Sequence, residues 1–392
     1  MKRSFLLMAL VACSVGPALA QMPRLQVEPL WPRPFPVAKH WILGSVTGVT
    51  IDAQDHIWVI HRGVDSLQAN EKGPTLEPWA SQCCFAAPQV LEFDAGGALL
   101  ASWEGKGDGH DWPRDPAGIA VDRKGNIWIA GGLPPSNLPA RGRGPAPEGA
   151  AAAARGRGDA AGRGDAAGRG DAAAARGRGG APAGPPPPAD AEVVEFDKTG
   201  KFVTQIGKPG QTDTSNPANL SRPLAIAIDD GANEVYVADD GHNRVAVFDA
   251  ASGAFKRAWT ANGDAFHTIS CVKIAKDGMV YVCDRQNDRI QVFQKDGKFV
   301  KEATVSTSTK ADGSVWDLAW SPDQRILYVA DGHDKKVWML DAKTLQTTGS
   351  FGQGGRYPGE FYGVGSVAVD SKGNVYTGET YEGKRVQKFV KR

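Results

Sequence analysis

The segment Met279–Val300, MVYVCDRQNDRIQVFQKDGKFV, constrains the fold more than any other part of the chain. Val280–Cys283 and Arg289–Gln294 alternate apolar with polar residues or run briefly apolar, as short strands do. The polar segment Asp284–Asp288 turns the chain between them, and Lys295-Asp296-Gly297 turns it again towards Phe299 and Val300. Upstream, Cys271–Ala275 supplies one more strand through the turn Lys276-Asp277-Gly278. Four short antiparallel strands thus fall within roughly 40–45 residues. So small a sheet cannot bury both faces alone, and the pattern has to recur.

It recurs along the chain. First strands open as Gly48–Asp52, Gly118–Asp122, Ala225–Asp229, Cys271–Ala275, Asp317–Trp320 and Ser366–Asp370. Second strands each carry an aromatic residue at the same place: Trp58, Trp128, Tyr236, Tyr281, Tyr328 and Tyr376. Third strands end on Phe93, Phe196, Phe248, Phe293, Leu340 and Phe389. The mid-strand aromatics are expected to fill the gaps between neighbouring sheets, since sugar-stacking rings would stand in loops. Ser314-Val315-Trp316-Asp317 looks like the closing dipeptide of another repeat type, but here it opens a repeat. The sixth repeat stops after its third strand, and Leu25–Glu28 is the candidate for its fourth. The expectation is an all-β, six-bladed β-propeller of four-stranded antiparallel blades, with the N-terminal strand closing the last blade.

The repeat (apolar-x-apolar-Asp, a Gly-Asn turn, apolar-aromatic-Val, then Asp…Asn-Arg-apolar-x-apolar-Phe) resembles the NHL-repeat family over almost the whole chain. The chain divides into residues 1–20, read as a signal peptide, and 21–392, read as one propeller domain. Lys2-Arg3, the apolar run Phe5–Val15 and Ala18-Leu19-Ala20 carry the signal reading. The alternative, a lipoprotein signal ending at Cys13, leaves a very short apolar core. Both readings predict an extracytoplasmic protein, in the periplasm or secreted. No later apolar run is long enough to span a membrane. The net charge of +1 argues against a dedicated nucleic-acid binder, and a monomer is expected.

Two insertions interrupt the pattern, at about 64–88 in blade 1 and 133–190 in blade 2. Residues 141–189 hold eight arginines against Glu148, Asp159, Asp165 and Asp171, with an Arg-Gly-Asp-Ala repeat and no aromatic or β-branched residue. Such a composition predicts disorder. Both insertions follow second strands, so both should decorate one face of the propeller, the expected binding face. Export makes Cys83, Cys84, Cys271 and Cys283 candidates for disulfides, with three pairings open. Cys271 begins one strand and Cys283 ends the next across a tight turn, which predicts a bridge between them.

His61-Arg62, His242, Asp284-Arg285 and His333 emerge on the same face. Their unequal offsets from the strand ends make His61, His242 and His333 a poor metal set, so no metal site is assigned. They and Asp284 remain candidate ligand-binding residues. Val59-Ile60-His61-Arg62-Gly63 and Val282-Cys283-Asp284-Arg285-Gln286-Asn287 are similar to segments of the peptidyl-α-hydroxyglycine amidating lyases. That resemblance implies catalytic roles for Arg62 and Arg285, which would hold a substrate carboxylate and developing negative charge. It also implies channel zinc and calcium. The positions matching the family's zinc histidines are Ala117, Ser270 and Gly365, and the blade 3 loop Ala238–His242 lacks the family's tyrosine. Calcium on backbone oxygens stays compatible with such a channel. Two functions follow: a binding module for a small anionic ligand, peptide or protein partner, or a lyase with a rebuilt metal site.

Overall fold

In the computed structural model, residues 23–132 except 106 and 108, together with 188–309 and 311–392, are described. The N-terminal signal reading and most of the blade 2 insertion lie outside the described residues. Each repeat folds as an antiparallel sheet running from an inner to an outer strand. The inner strands are Val46–Ile51, Pro116–Val121, Pro223–Asp229, Ile269–Ile274, Asp317–Trp320 and Val364–Val369. Consecutive inner strands pack side by side, and the sixth packs on the first, so they close a ring around a channel. Leu25–Val27 supplies the outer strand of blade 6, in register with Phe389–Lys391 (Leu25 opposite Lys391, Val27 opposite Phe389). Asp317 opens blade 5, as expected for the Trp316-Asp317 pair.

Local chemistry explains the repeat. Asp52, Asp122 and Asp370 directly follow inner strands, and one carboxylate oxygen of each accepts two turn amides, at 2.8–3.0 Å. The second-strand aromatics are all buried, and each lies against the following blade. Trp58 packs with Ile119, Tyr281 with Leu318, and Tyr376 with Val46 and Val49 across the closing seam. Each such ring contributes roughly 2–3 kcal/mol by burial. Inner strands approach closely where glycine allows it: a Cβ on Gly118 would stand 2.7 Å from the Leu224 carbonyl oxygen.

The cysteines pair as Cys271–Cys283 and Cys83–Cys84. Cys271 and Cys283 are register partners in blade 4 with Cα atoms 4.9 Å apart. The 64–88 insertion forms three short 3-10 turns, and Phe85-Ala86 pairs in parallel with Trp41-Ile42. An ion pair from Lys384 to Glu71 fastens it to blade 6. No helix among the described residues is long and apolar enough to cross a membrane.

Candidate functional site

The site is built on the ends of the second strands, where they meet the loops linking blade to blade. The last residue of five of these strands is a buried acceptor, and in His61, Asp239, Asp284 and Glu379 it ties the strand to a blade-linking loop, whereas Asp331 accepts from its own turn and from Trp338. Those four take a backbone N–H from the loop before their own blade: Gly44 (3.1 Å), Ser221 (2.6 Å), His267 (2.6 Å) and Tyr362 (2.6 Å) respectively. The start of the third strand then brings a guanidinium: Arg244 Nε lies 2.8 Å from Asp239, Arg289 Nε 2.7 Å from Asp284, and Arg385, just before its strand, pairs with Glu379. Asp284 also accepts from Asn287 at 2.9 Å. The Asp…Asn-Arg motif is thus a clasp that holds a blade to the loop beside it.

Three of the candidate ligand-binding residues are parts of such clasps. Asp284 is fully buried with both oxygens engaged. His61 accepts at Nδ1 from Gly44 and Gly63, and its Nε2 donates to the Pro88 carbonyl at 2.9 Å. Burial lowers its pKa to about 4, so the ring is neutral with its proton on Nε2. His242 donates from both nitrogens, to Asp239 and to the Thr212 carbonyl, each at 2.8 Å, and the Asp239 bond raises its pKa. His333 stands half-buried in the blade 5 turn, its N–H donating to Asp331 at 3.2 Å. The structure does not gather the three histidines into one cluster.

Blade 2 departs from the pattern. Its second strand ends on Gly131, and Asp190 reaches in to accept from Arg114 and Asp115 amides at 3.2 and 2.9 Å. Glu192 stands where the other blades place arginine, lysine or glutamine. It is buried, its Oε2 accepts from Ala191 at 2.6 Å, and its Oε1 has no hydrogen-bond partner among the described residues. Burial, with Asp190 beside it, pushes its pKa up to about 8.

Arg62 and Arg285 each follow the acceptor directly, in equivalent places on blades 1 and 4, so they flank the channel mouth from opposite sides. Each has an acidic neighbour from a blade-linking loop. Arg62 Nε pairs with Asp115, and the Arg62 side chain keeps 36% of its surface exposed. Arg285 is 9% exposed, lies over the Trp316 ring at 4.2 Å, and has an Nη 3.8 Å from Asp312. Between them stands Tyr381, its hydroxyl donating to Asp312 at 3.1 Å and its ring edge-on to Trp316. Ser45 joins the two sides: its carbonyl takes the Arg62 N–H at 3.0 Å and its hydroxyl donates to the Tyr381 carbonyl at 2.6 Å.

Tyr381, Asp312, Trp316 and Asp115 were missed in the sequence. One signal was present: the turn from Glu379 to Arg385 is one residue longer than those from Asp239 to Arg244 and Asp284 to Arg289.

Channel-lining positions just inside the mouth are Thr47, Ala117, Leu224, Ser270, Trp316 and Gly365. None offers an imidazole, thiolate or carboxylate, and the Ser270 hydroxyl is spent on the Val315 carbonyl at 2.8 Å. These residues do not fit the zinc that the lyase resemblance implies. Among the described residues one group, Asp52, His56 and Glu92, has the spacing of a metal set. It lies on the far face, and blade 2 builds the same contact with Asn126 donating to Glu195 at 2.7 Å, so His56 there substitutes for an amide.

A model for a family of unknown function matches residues 217–333. The human NHL repeat-containing protein 3 is 31% identical over 167 residues, which cover 40% of this chain and 46% of that protein. Mouse peptidyl-glycine alpha-amidating monooxygenase is 24% identical over 155 residues, covering 38% of this chain and 16% of the relative. The chain thus spans less than half the length of the curated relatives it matches. A solved protein of unknown function from Bacteroides thetaiotaomicron shares the fold with a TM-score of 0.52 and 12% identity, covering 89% of this chain and 70% of that one. The closed ring of four-stranded sheets makes the chain a six-bladed β-propeller, and over the matched 40% its sequence is similar to NHL repeat-containing protein 3.

Proposed function

We propose that this propeller is an exported binding module that holds a small carboxylate-bearing ligand, free or at the end of a peptide, at its channel mouth. The observation that carries the reading is Arg62. Its guanidinium has one partner among the described residues, Asp115 on Nε, which leaves both Nη groups as donors beside Tyr381. A planar fork of that kind suits a carboxylate. The extracytoplasmic location rests on the sequence of residues 1–20, and N-terminal sequencing of the secreted protein should then begin at Gln21.

A second reading, a lyase cleaving a C–N bond as the amidating enzymes do, draws on the 24% likeness to the mouse monooxygenase and on the two arginine segments. The channel-lining residues speak against its metal-dependent form. Calorimetric titration with benzoate, and with benzamide as the uncharged control, tests the first reading. Benzoate alone should bind, and Arg62→Ala should abolish binding with Tm unchanged, because the side chain is half-exposed and single surface ion pairs contribute about 0–1 kcal/mol. Arg62→Lys should rescue only in part. Unaltered binding by Arg62→Ala would remove the site. Turnover of a peptidyl-α-hydroxyglycine that depends on Arg62 would favour the second reading.

A further inference from the structure

Tyr381 is in the left-handed region at φ 52°. Its turn holds a second left-handed residue, Lys384, where the turns of blades 3, 4 and 5 have Asn243, Asp288 and Lys335. The extra one costs about 1–2 kcal/mol for a residue with a Cβ, and such conformations gather at ligand sites. It turns the phenol across the channel mouth. There the two oxygens of Asp312 face two donors: the Tyr381 hydroxyl at 3.1 Å and the Arg285 Nη at 3.8 Å, with the guanidinium laid on Trp316. This is how a protein receives a ligand carboxylate, yet the carboxylate is its own. Asp312 is held loosely. The 3.8 Å contact exceeds hydrogen-bond reach, the side chain is 30% exposed, and it rides on the loop linking blades 4 and 5 rather than on a strand.

We propose that Tyr381, Arg285 and Trp316 form the carboxylate subsite of the channel mouth, and that Asp312 is a tethered occupant which a ligand carboxylate displaces. The proposal rests on the reading of the mouth as a carboxylate site and assigns its parts. Tyr381 and Arg285 grip the ligand oxygens, Trp316 orients the guanidinium, and Arg62 adds a second positive charge from the blade 1 side. Burial and Asp312 raise the Tyr381 pKa against the opposing pull of Arg285 and Arg62, so the phenol keeps its proton and donates.

The test is benzoate titration of the full-length mature protein and its Asp312→Asn variant, with benzamide as control and Tm as the check on folding. Removing the competing charge should tighten benzoate binding about fivefold to tenfold and leave benzamide unchanged. Tyr381→Phe should weaken benzoate about tenfold in either background. Equal or weaker benzoate binding by Asp312→Asn, with Arg62→Ala still abolishing it, would overturn the displacement proposal and leave the carboxylate site standing. No benzoate binding by either protein would overturn both.

Discussion

At the scale of single residues, position decides whether a charged group serves the fold or faces a ligand. Asp284 and Arg285 are neighbours in sequence, yet one is sealed inside a clasp and the other lies on Trp316 at the channel mouth. Glu192 shows what happens when a clasp is rebuilt. It occupies the place that Arg244 and Arg289 fill elsewhere, and it lies beside Asp190 instead of answering it. Its folded pKa of about 8 lies above the ordinary 4.5. Below pH 4.5 the group is protonated in both states and contributes nothing. Between 4.5 and 8 the unfolded chain releases the proton and the folded one keeps it, so stability falls as pH rises, and above 8 the penalty is complete. Glu192→Gln supplies a permanent amide donor in place of that proton. Its Tm should match the native protein near pH 4.5 and exceed it by an increasing margin towards pH 8, worth about 1–3 kcal/mol. Thermal melts across that range check it, and a gap independent of pH would refute the buried-acid assignment.

At the scale of elements, the strands were legible because each carries its own signals. The Asp following the inner strand, the aromatic of the second and the Phe of the third act within one blade or against the next. Their periodicity therefore needs no knowledge of the ring. Cys271–Cys283 was readable for the same reason, both residues lying on adjacent strands of one blade. The bridge is buried, closes a separation of 12 residues, and packs against Leu318 and Val329 of blade 5. Chain-entropy arguments give such a loop about 3 kcal/mol. Replacing both cysteines by alanine should lower unfolding stability by about that amount, measured by denaturant titration. A dithiol under native conditions should leave this bridge intact while reducing the exposed Cys83–Cys84 pair. Simultaneous alkylation of all four cysteines would show that blade 4 opens more readily than its burial suggests.

At the scale of the whole molecule, the channel mouth exists only because six blades close. Tyr381 comes from blade 6, Trp316 and Asp312 from the approach to blade 5, Asp115 from the approach to blade 2, and Arg62 and Arg285 from opposite blades. The sequence separates Arg62 from Tyr381 by most of the chain, and Ser45 joins them only across the closing seam. Local pattern could therefore nominate the arginines but not the tyrosine or the aspartates that surround them. The seam itself rests on a short strand. Leu25, Gln26 and Val27 pair with Lys391, Val390 and Phe389, and Leu25 and Val27 pack against the cluster containing Phe361 and Phe389. Starting the mature chain at Glu28 would bare the edge of Val386–Lys391 and remove that packing. The shortened protein should lose about 2–4 kcal/mol and self-associate through the open edge. Because Glu379 and Tyr381 belong to the loosened blade, benzoate affinity should fall with it, although no residue of the mouth has been changed. Denaturant titration, size-exclusion chromatography and benzoate calorimetry read the three effects. Loss of stability with full affinity would mean that the mouth is held by the clasps of each blade rather than by closure of the ring.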